Sequence, residues 1–420
     1  MAKKLKVLFL VPSFPSLTET FIINQIIDLL DRGHDVNIFS LTRGKSLIHQ
    51  KVKDYNLISK TTFADVPTNV FKRVIVFMKK LINSDGINRR KLIKSLNLFK
   101  YGMSALTLSS FFKVSWLTSL PNDFDIVHAH FGFMYSYYFR AKECGFLLNA
   151  SLITTFHGYD MVPADLLENQ RIYKELFDNN ILITTNNEYG KSLLHLIRQD
   201  YSNISLLPVA LDTTYYSPNS SKASNKYINV LFCGRLIRLK GPKRVVEVAN
   251  NLINHKHLDN VKFTIIGDGP KKYIDEINLL INEYGLNDKV TLAGPLEQKE
   301  IIVVLNTTDI FIMPGITDVD GKAENQGLVI QEAQAMQVPV VVTDAGGMKY
   351  GLDIDRTGFV VEENDLDIFA EKVQFLIQNP QQRNEMGVEA RKFVQRHFDS
   401  KVIGTNLEQL YYKIKQKNVL

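Results

Sequence analysis

Apolar, β-branched runs punctuate the first half of the chain at 6–12 (KVLFLVP), 35–41, 125–131, 151–158, 180–187 and 203–209, with helix-period segments between most of them. The first such segment, from Glu19 to Leu30, sets Phe21, Ile22, Ile26, Leu29 and Leu30 on one stripe and stops at Gly33. Continuous apolar runs suit strands covered on both faces, and their alternation with helices predicts a parallel, doubly wound sheet. A polar stretch at 217–227, SPNSSKASNKY, interrupts the pattern, which then restarts at 229–235, 261–269, 289–296, 309–315, 338–344 and 358–362. The expectation is an α/β chain with two Rossmann-like domains: an N-terminal one over 1–212, a linker over 213–227, and a second domain over 228–390. Residues 366–417 read as helical with a break near Asn379-Pro380, and helices from 391–420 are expected to cross back to the first domain. Ligands of such sheets bind beyond the carboxyl ends of the strands, so two facing domains predict a cleft lined by strand-to-helix loops.

Length agrees, since 420 residues exceed what one core organises. Two cysteines, Cys144 and Cys233, exclude a disulfide framework and suit a reducing compartment. The start, MAKKLKVLFLVP, imitates a signal peptide, but its apolar run is too short and reads as a buried strand. The best candidate for a membrane span, 103–121, is serine-rich and carries Lys113, so a soluble or peripheral cytoplasmic protein is expected. Charge is lopsided. Residues 71–115 hold ten Lys/Arg against Asp85, a net +9, which leaves 40 minus 43, or −3, for the rest of the chain.

Three loops carry candidate chemistry. GRLIRLKG follows a strand and places Arg235 and Lys240 around a turn that enters a helix through Gly241-Pro242. Free amides at a helix start beside two cations suit a diphosphate, although a solvated basic loop would look the same. AENQGLVIQEAQAM sets Glu324 before a glycine turn and Glu332 on the helix that begins near Gly327. A carboxylate there can accept hydrogen bonds from vicinal sugar hydroxyls. TTFHGYD places His157 and Asp160 after a strand of the first domain, facing the cleft from the opposite side. His128 and His130 share a strand face at metal-pair spacing, but no third ligand stands near them and no metal is assigned. IGDGPKK has Lys272 where a dinucleotide fingerprint needs its third glycine, which argues against a nicotinamide enzyme. Asp318-Val319-Asp320 imitates the acidic metal pair of a different class of sugar transferases and reads as a loop accident.

As a set, VPSFPSLTETFIINQI, FHGYDM, VLFCGRLIRLKG, IIGDGP and the E-x7-E element from Glu324 to Glu332 resemble glycosyltransferase family 4, a retaining group with the GT-B fold. SLTETFI, AHFG and FHGYD are most similar to its bacterial exopolysaccharide and lipopolysaccharide branch. The resemblance implies a hexosyltransferase that moves a sugar from a UDP- or GDP-sugar to a glycan or lipid-linked acceptor, with retention and without a metal or other cofactor. It implies that Arg235 and Lys240 hold the donor diphosphate, that Glu324 touches the transferred sugar, and that Glu332 binds the ribose, with Gly267, Gly294, Gly327 and Leu328 completing the donor side. It sets His157 beside the donor sugar as a catalytic residue, and Glu19, Thr20, His130 and Asp160 on the acceptor side. The family has glycine where this chain has Asn325, which tolerates positive φ less freely.

The basic stretch FKRVIVFMKKLI (71–82) is amphipathic and has two readings that can coexist. It suits an anionic membrane surface on the inner face of the cytoplasmic membrane, or a helix that packs its apolar face on the first domain. Nucleic acid is not a partner, because no binding module surrounds the cations. Two rival functions remain: an epimerase or hydrolase on the same scaffold, which needs no second sugar, and a degenerate nucleotide-sugar-binding subunit.

Overall fold

A computed structural model describes residues 3–16, 19–44, 50–219 and 226–417. Part of the SLTETFI motif (17–18) and part of the expected linker (220–225) lie outside the described residues.

The first sheet contains β1 (Lys6–Phe14), β2 (Asp35–Arg43), β3 (Thr61–Phe63), β4 (Ile126–His130), β5 (Ser151–Phe156), β6 (Leu182–Thr185) and β7 (Ile204–Leu206). The second contains β8 (Ile228–Cys233), β9 (Val261–Ile266), β10 (Val290–Gly294), β11 (Ile310–Met313), β12 (Val340–Thr343) and β13 (Gly358–Val361). Their orders are 3-2-1-4-5-6-7 and 10-9-8-11-12-13, and the ladders run parallel. These are two Rossmann-like domains, as the strand pattern predicts. In each, strand order reverses beside the first strand, at β1/β4 and at β8/β11, which is where such sheets open a crevice.

Along β1 the side chains alternate. Leu8 and Leu10 enter a core with Trp116, Phe111 and Phe156, whereas Val7, Phe9 and Val11 enter another with Ile22, Ile26 and Tyr411. The first domain is thus buried on both faces, and one further core fills the second domain.

Helices of the first domain are α1 (Thr20–Asp31), α2 (Gln50–Asp54), α3 (Val70–Asn83), α4 (Gly86–Lys94), the short α5 (Leu98–Tyr101), α6 (Met103–Leu106) and α7 (Ser109–Phe112), then α8 (Tyr135–Cys144), α9 (Leu166–Asp178) and α10 (Glu188–Ile197). Those of the second are α11 (Pro242–Asn250), α12 (Lys271–Glu283), α13 (Gln298–Thr307), α14 (Leu328–Ala335), α15 (Leu366–Gln378) and α16 (Pro380–His397), followed by α17 (Ser400–Lys417). On α1, Ile23 and Ile27 are buried with Ile22, Ile26 and Leu29, while Phe21 and Leu30 lie at the edge of the expected stripe.

The chain crosses between domains twice, and the crossings are tied. Leu211 N–H donates to the Phe398 carbonyl at 2.8 Å, and Ser400 N–H donates to the Leu211 carbonyl at 2.9 Å. Met386, Val394 and Phe398 belong to the second core, so α16 stays with that domain and the return falls later than residue 390. On α17, Ile403, Leu407, Tyr411 and Ile414 recur at helical spacing and pack in the first domain. Arg32 adds an ion pair to Glu408 at 3.3 Å.

Candidate functional site at the interdomain cleft

The second-domain wall starts with three loops whose backbones nearly touch. Gly241, at φ +76°, would place a Cβ 2.0 Å from the Pro314 carbonyl oxygen, and a Cβ on Gly267 would sit 1.8 Å from that of Gly234. Only glycine lets these turns stack, which fixes the loop carrying Arg235 and Lys240 over the carboxyl end of β8. Arg244 supports the same layer by donating to the carbonyls of Pro314 and Gly315 at 3.2 and 3.3 Å. Gly294 sits at positive φ where β10 shifts register, with open space around it.

Beside this layer the Lys240 ammonium is ion-paired with the Glu324 carboxylate. The other Glu324 oxygen accepts from the Gly327 N–H at 3.0 Å. Burial raises the Glu324 pKa, but Lys240, the Gly327 amide and the nearby charge of Arg235 outweigh it, so the carboxyl lies below its ordinary value. Gly327 takes φ +70° and opens α14, whose N-terminal turn has no side-chain cap. One helical turn apart, Leu328 and Glu332 line the same cavity of about 250 Å³ with Tyr216 and Gln298, while Thr20 and Asn24 line it from the first domain. Burial pushes the Glu332 carboxyl up to about 7 against a hydrogen bond from Tyr216. Tyr216 also accepts from the Gln298 side-chain amide at 2.9 Å.

The first-domain wall is built on histidines. His130 Nδ1 and His157 Nε2 lie 3.1 Å apart, and the stack continues to His128, whose ring nitrogens meet Tyr411 and Thr155 hydroxyls at 2.7 and 2.6 Å. Burial lowers His157 to about 3, so its ring is neutral at physiological pH. Its Nδ1 is buried without a partner among the described residues. Phe131, at φ +70°, packs against the His157 ring at 4.7 Å and stacks on Tyr159 at 4.8 Å. A bulky residue in that conformation stores strain, which the surrounding hydrogen bonds hold in place.

Asp160 supplies several of those bonds. Its carboxylate accepts from the backbone N–H groups of Gly132, His157 and Gly158 at 2.8, 3.1 and 2.9 Å. Burial raises it to about 6, and these three donors oppose that rise. Asp160 and His130 are both buried, so they do not present their side chains to the cleft: Asp160 fastens the HGYD loop and His130 backs His157. Glu19 stands just before α1 without capping its amides, one carboxyl oxygen is buried with no partner among the described residues, and burial raises the carboxyl to about 7.

The lobes meet at the turn between the two glutamates. Gln326 brackets the Val209 backbone, accepting from its N–H at 2.7 Å and donating to its carbonyl at 3.0 Å. The Asn187 side-chain amide donates to the Asn325 carbonyl. The side chain of Asn325 lies between Gly158 and Gly190, where an added Cβ would come within 3.1 and 3.3 Å of it. Asn325 is absent from the positive-φ residues, so the backbone here does not need glycine.

Comparison with known proteins agrees with this geometry. Residues 217–393 match the family described as Glycosyl transferases group 1. WcaL of Escherichia coli K12, assigned to colanic acid biosynthesis as a glycosyltransferase, is 27% identical over 97% of this chain and 99% of its own. The amylovoran biosynthesis glycosyltransferase AmsK of Erwinia amylovora is 25% identical over 98% of this chain and 100% of its own. The crystal structure of Anabaena Alr3699/HepE in complex with UDP superposes with a TM-score of 0.72 at 15% identity, covering 97% of this chain and 100% of that one.

The chain is a glycosyltransferase with the GT-B fold.

In this glycosyltransferase, Arg235, Lys240, Gly327, Leu328 and Glu332 gather on the second-domain wall, and His157, Glu19 and Thr20 stand on the first. Sequence reasoning missed Tyr216, which hydrogen-bonds Glu332, Gln298, which donates to Tyr216, and Phe131, which packs on His157. Tyr216 falls in the stretch expected to be linker, yet it is fully buried, and Arg391 donates to its carbonyl at 2.8 Å. AHFG contained the signal for Phe131, because the glycine after it has no room for a Cβ against the Phe156 ring. Among the described residues no group of three His, Cys, Asp or Glu side chains could hold a metal ion. No described helix is long and apolar enough to cross a membrane.

Proposed function

We propose that this glycosyltransferase moves a hexose-type sugar from a UDP- or GDP-sugar to a glycan or lipid-linked acceptor in bacterial exopolysaccharide or lipopolysaccharide assembly, with retention of configuration. The observation that carries the reading is the Lys240–Glu324 pair beside the open start of α14, with Glu332 one helix face away in the same cleft. Breaking the bond between sugar C1 and the phosphate oxygen leaves negative charge on the departing diphosphate. Arg235, Lys240 and the first amides of α14 meet that charge as it forms. Lys240 then exchanges Glu324 for phosphate, which frees the carboxylate to receive hydroxyls of the sugar. Glu332 takes the ribose, with Tyr216 orienting it. His157, neutral and supported by His130, offers a hydrogen bond rather than a charge from the acceptor side. The acceptor hydroxyl forms the new bond to C1 as the C1–phosphate bond breaks, and its proton passes to the departing diphosphate oxygen.

The cavity of about 250 Å³ beside Glu332 is lined by neither Arg235, Lys240 nor Glu324, so it holds only the ribose end of the donor. A donor that spans both walls calls for a lobe closure in which the 325–326 turn meets Asn187 and Val209. Names of the relatives support the polysaccharide setting, and the UDP in the Anabaena structure supports the donor class. The reading also places the enzyme in the cytoplasm, where nucleotide sugars are made available. The test is a thermal-shift panel of UDP, GDP and ADP, followed by product analysis with and without acceptor. One nucleotide should raise the melting temperature, and sugar should leave the donor only when acceptor is present. Donor consumption that ignores acceptor would instead mark an epimerase or hydrolase.

A further inference from the structure

Of the two readings of the basic amphipathic stretch, packing on the first domain holds only for the weaker apolar side of α3, and the stronger stripe faces outward. On α3, Phe71, Val74, Ile75, Met78 and Ile82 fall within about 100° of one another on a helical wheel. All five are exposed, Phe71 by 82% and Ile82 by 65%. The inward side carries Val76, Phe77 and Leu81, which are only partly buried against the core. Two of the four cations also turn inward. Arg73 donates to the Pro67 carbonyl at 2.7 Å, and burial lowers the pKa of Lys80. The other two, Lys72 and Lys79, are exposed and lie together along one side of the stripe.

The same segment continues outward. Ile87 on α4, Phe99 on α5 and Met103 on α6 are exposed by 71%, 106% and 70%, and the turn after α6 is tied to α3 through Arg73 and the Thr107 carbonyl at 3.5 Å. Isolated apolar residues on a surface need no explanation, but a helical stripe of five with further apolar neighbours does. Charge identifies the occupant. The stripe lies within the only strongly basic segment, +9 over residues 71–115 in a chain whose remainder is −3. An apolar ridge with the exposed Lys72 and Lys79 beside it fits a surface that is oily beneath and negative above. The segment leaves the first sheet after β3, its edge strand.

We propose that the outer face of α3, extended by α4 to α6, docks on an anionic lipid bilayer, with Phe71, Val74, Ile75, Met78 and Ile82 entering the headgroup–acyl boundary and Lys72 and Lys79 engaging phosphate headgroups. The proposal stands apart from the donor-site reading, because its readout is binding to lipid and not sugar transfer. The experiment is flotation of the full chain with phosphatidylcholine vesicles, with and without about a third phosphatidylglycerol, at low and high salt. The chain should float with the anionic vesicles, and salt should release it. F71E/I75E should weaken binding by at least about 100-fold, from the lost burial of two large side chains. K72E/K79E should weaken it at least about fivefold per site. Both pairs change exposed side chains, so the thermal midpoint should hold, and a nucleotide-induced thermal shift equal to that of the parent confirms the fold. Equal binding to neutral vesicles that ignores salt, or undiminished binding by F71E/I75E, overturns the proposal. A dimer that F71E/I75E dissolves, with no vesicle binding by the parent, also overturns it and assigns the stripe to a second copy of the chain.

Discussion

Replacing Lys240 with methionine removes the charge beside Glu324 and keeps the aliphatic bulk, so the cost isolates an ion pair in which Lys240 and Glu324 are only 11% and 18% exposed. Without Lys240 the influence of burial on the carboxyl is largely unopposed, and its escape is to take up a proton. Relative to an ordinary value of 4.5, that proton costs 2.5 × 1.36, about 3.4 kcal/mol at pH 7. The same arithmetic caps the penalty of the unpaired carboxylate at about 1.4 kcal/mol at pH 5.5 and about 4.1 kcal/mol at pH 7.5. In the parent the folded pKa is depressed, so the pair stabilises the protein above the unfolded value and the contribution fades as pH falls through the folded one. In the variant the folded pKa is raised, and the penalty grows with pH above about 4.5.

The assay must report the second domain alone, because two domains need not unfold together. Trp116 lies in the first domain and is of no use here, but Cys233 is buried in the second. Pulse labelling of that thiol across a urea series, read by mass spectrometry, gives stability at pH 5.5 and 7.5. K240M should lose more at pH 7.5, up to the cap. K240M/E324Q, with no carboxylate left to neutralise, should recover most of the loss. A loss equal at both pH values, or one that E324Q fails to rescue, would mean that Lys240 supports the loop by packing and not by charge.

Arg235 is exposed and makes no ion pair among the described residues, so Arg235→Ala should leave the thermal midpoint unchanged while lowering turnover by about 100 to 1000-fold; near-normal steady-state turnover would remove it from the diphosphate site. In the proposed role of Glu332 as ribose acceptor, the ionised carboxylate accepts more strongly and at both oxygens, and its pKa is raised to about 7, so affinity for the nucleotide picked out by the thermal-shift panel, measured by calorimetry, should fall as pH drops below about 7. E332Q should flatten that dependence relative to the parent, even with Glu19 still titrating in the same window on the other lobe. Because the Glu332 pKa is raised on folding, the unliganded parent should lose stability as pH climbs from about 4.5 toward 7, and E332Q should lose less.

Strands buried on both faces were the most legible elements, since β1, β8 and β12 each hold a continuous apolar run, over Val7–Val11, Val230–Cys233 and Val340–Val342, and nothing else of that length fits between turns. β3 was not legible. Its three residues, Thr61–Phe63, have no pattern of their own and are strand only because Ile38, Phe39 and Ser40 of β2 pair with them. β7 is shorter than its apolar run, ending at Leu206, and Pro208 just beyond it has no N–H to offer a ladder. At the site, residue types were readable and depth was not. The spacing of Glu324 and Glu332 announced a helix start, but the partner of Glu324 lies far away in sequence, at Lys240. Likewise Asp160 and His130 were visible as chemistry beside strands, yet only the packing of β4 against β5 shows them buried beneath His157.

The orientation of α3 shows why a periodic pattern needs a three-dimensional arbiter. A wheel establishes that Phe71, Val74, Ile75, Met78 and Ile82 share a side, and the usual inference is that this side meets the core. Under α3, however, the core is already closed. Phe111 and Phe112 stand edge to face at 5.4 Å, Trp116 stacks on Phe39 at 3.7 Å, and all four are buried. What remains is a shallow seat for Phe77, which meets the Phe111 ring at 4.8 Å, with Arg73 and Lys80 laid along its rim. The seat takes the weaker apolar side because Arg73 finds a carbonyl there, and the stronger stripe is turned outward. A helix that exposes its more apolar face at equilibrium with water lacks the partner that would favour the arrangement, and the cations beside it select a partner that is negative at its surface. The same reasoning predicts where the pattern could change: substitutions that enlarge the seat under Phe77 should rotate α3 inward and abolish lipid binding without touching the stripe.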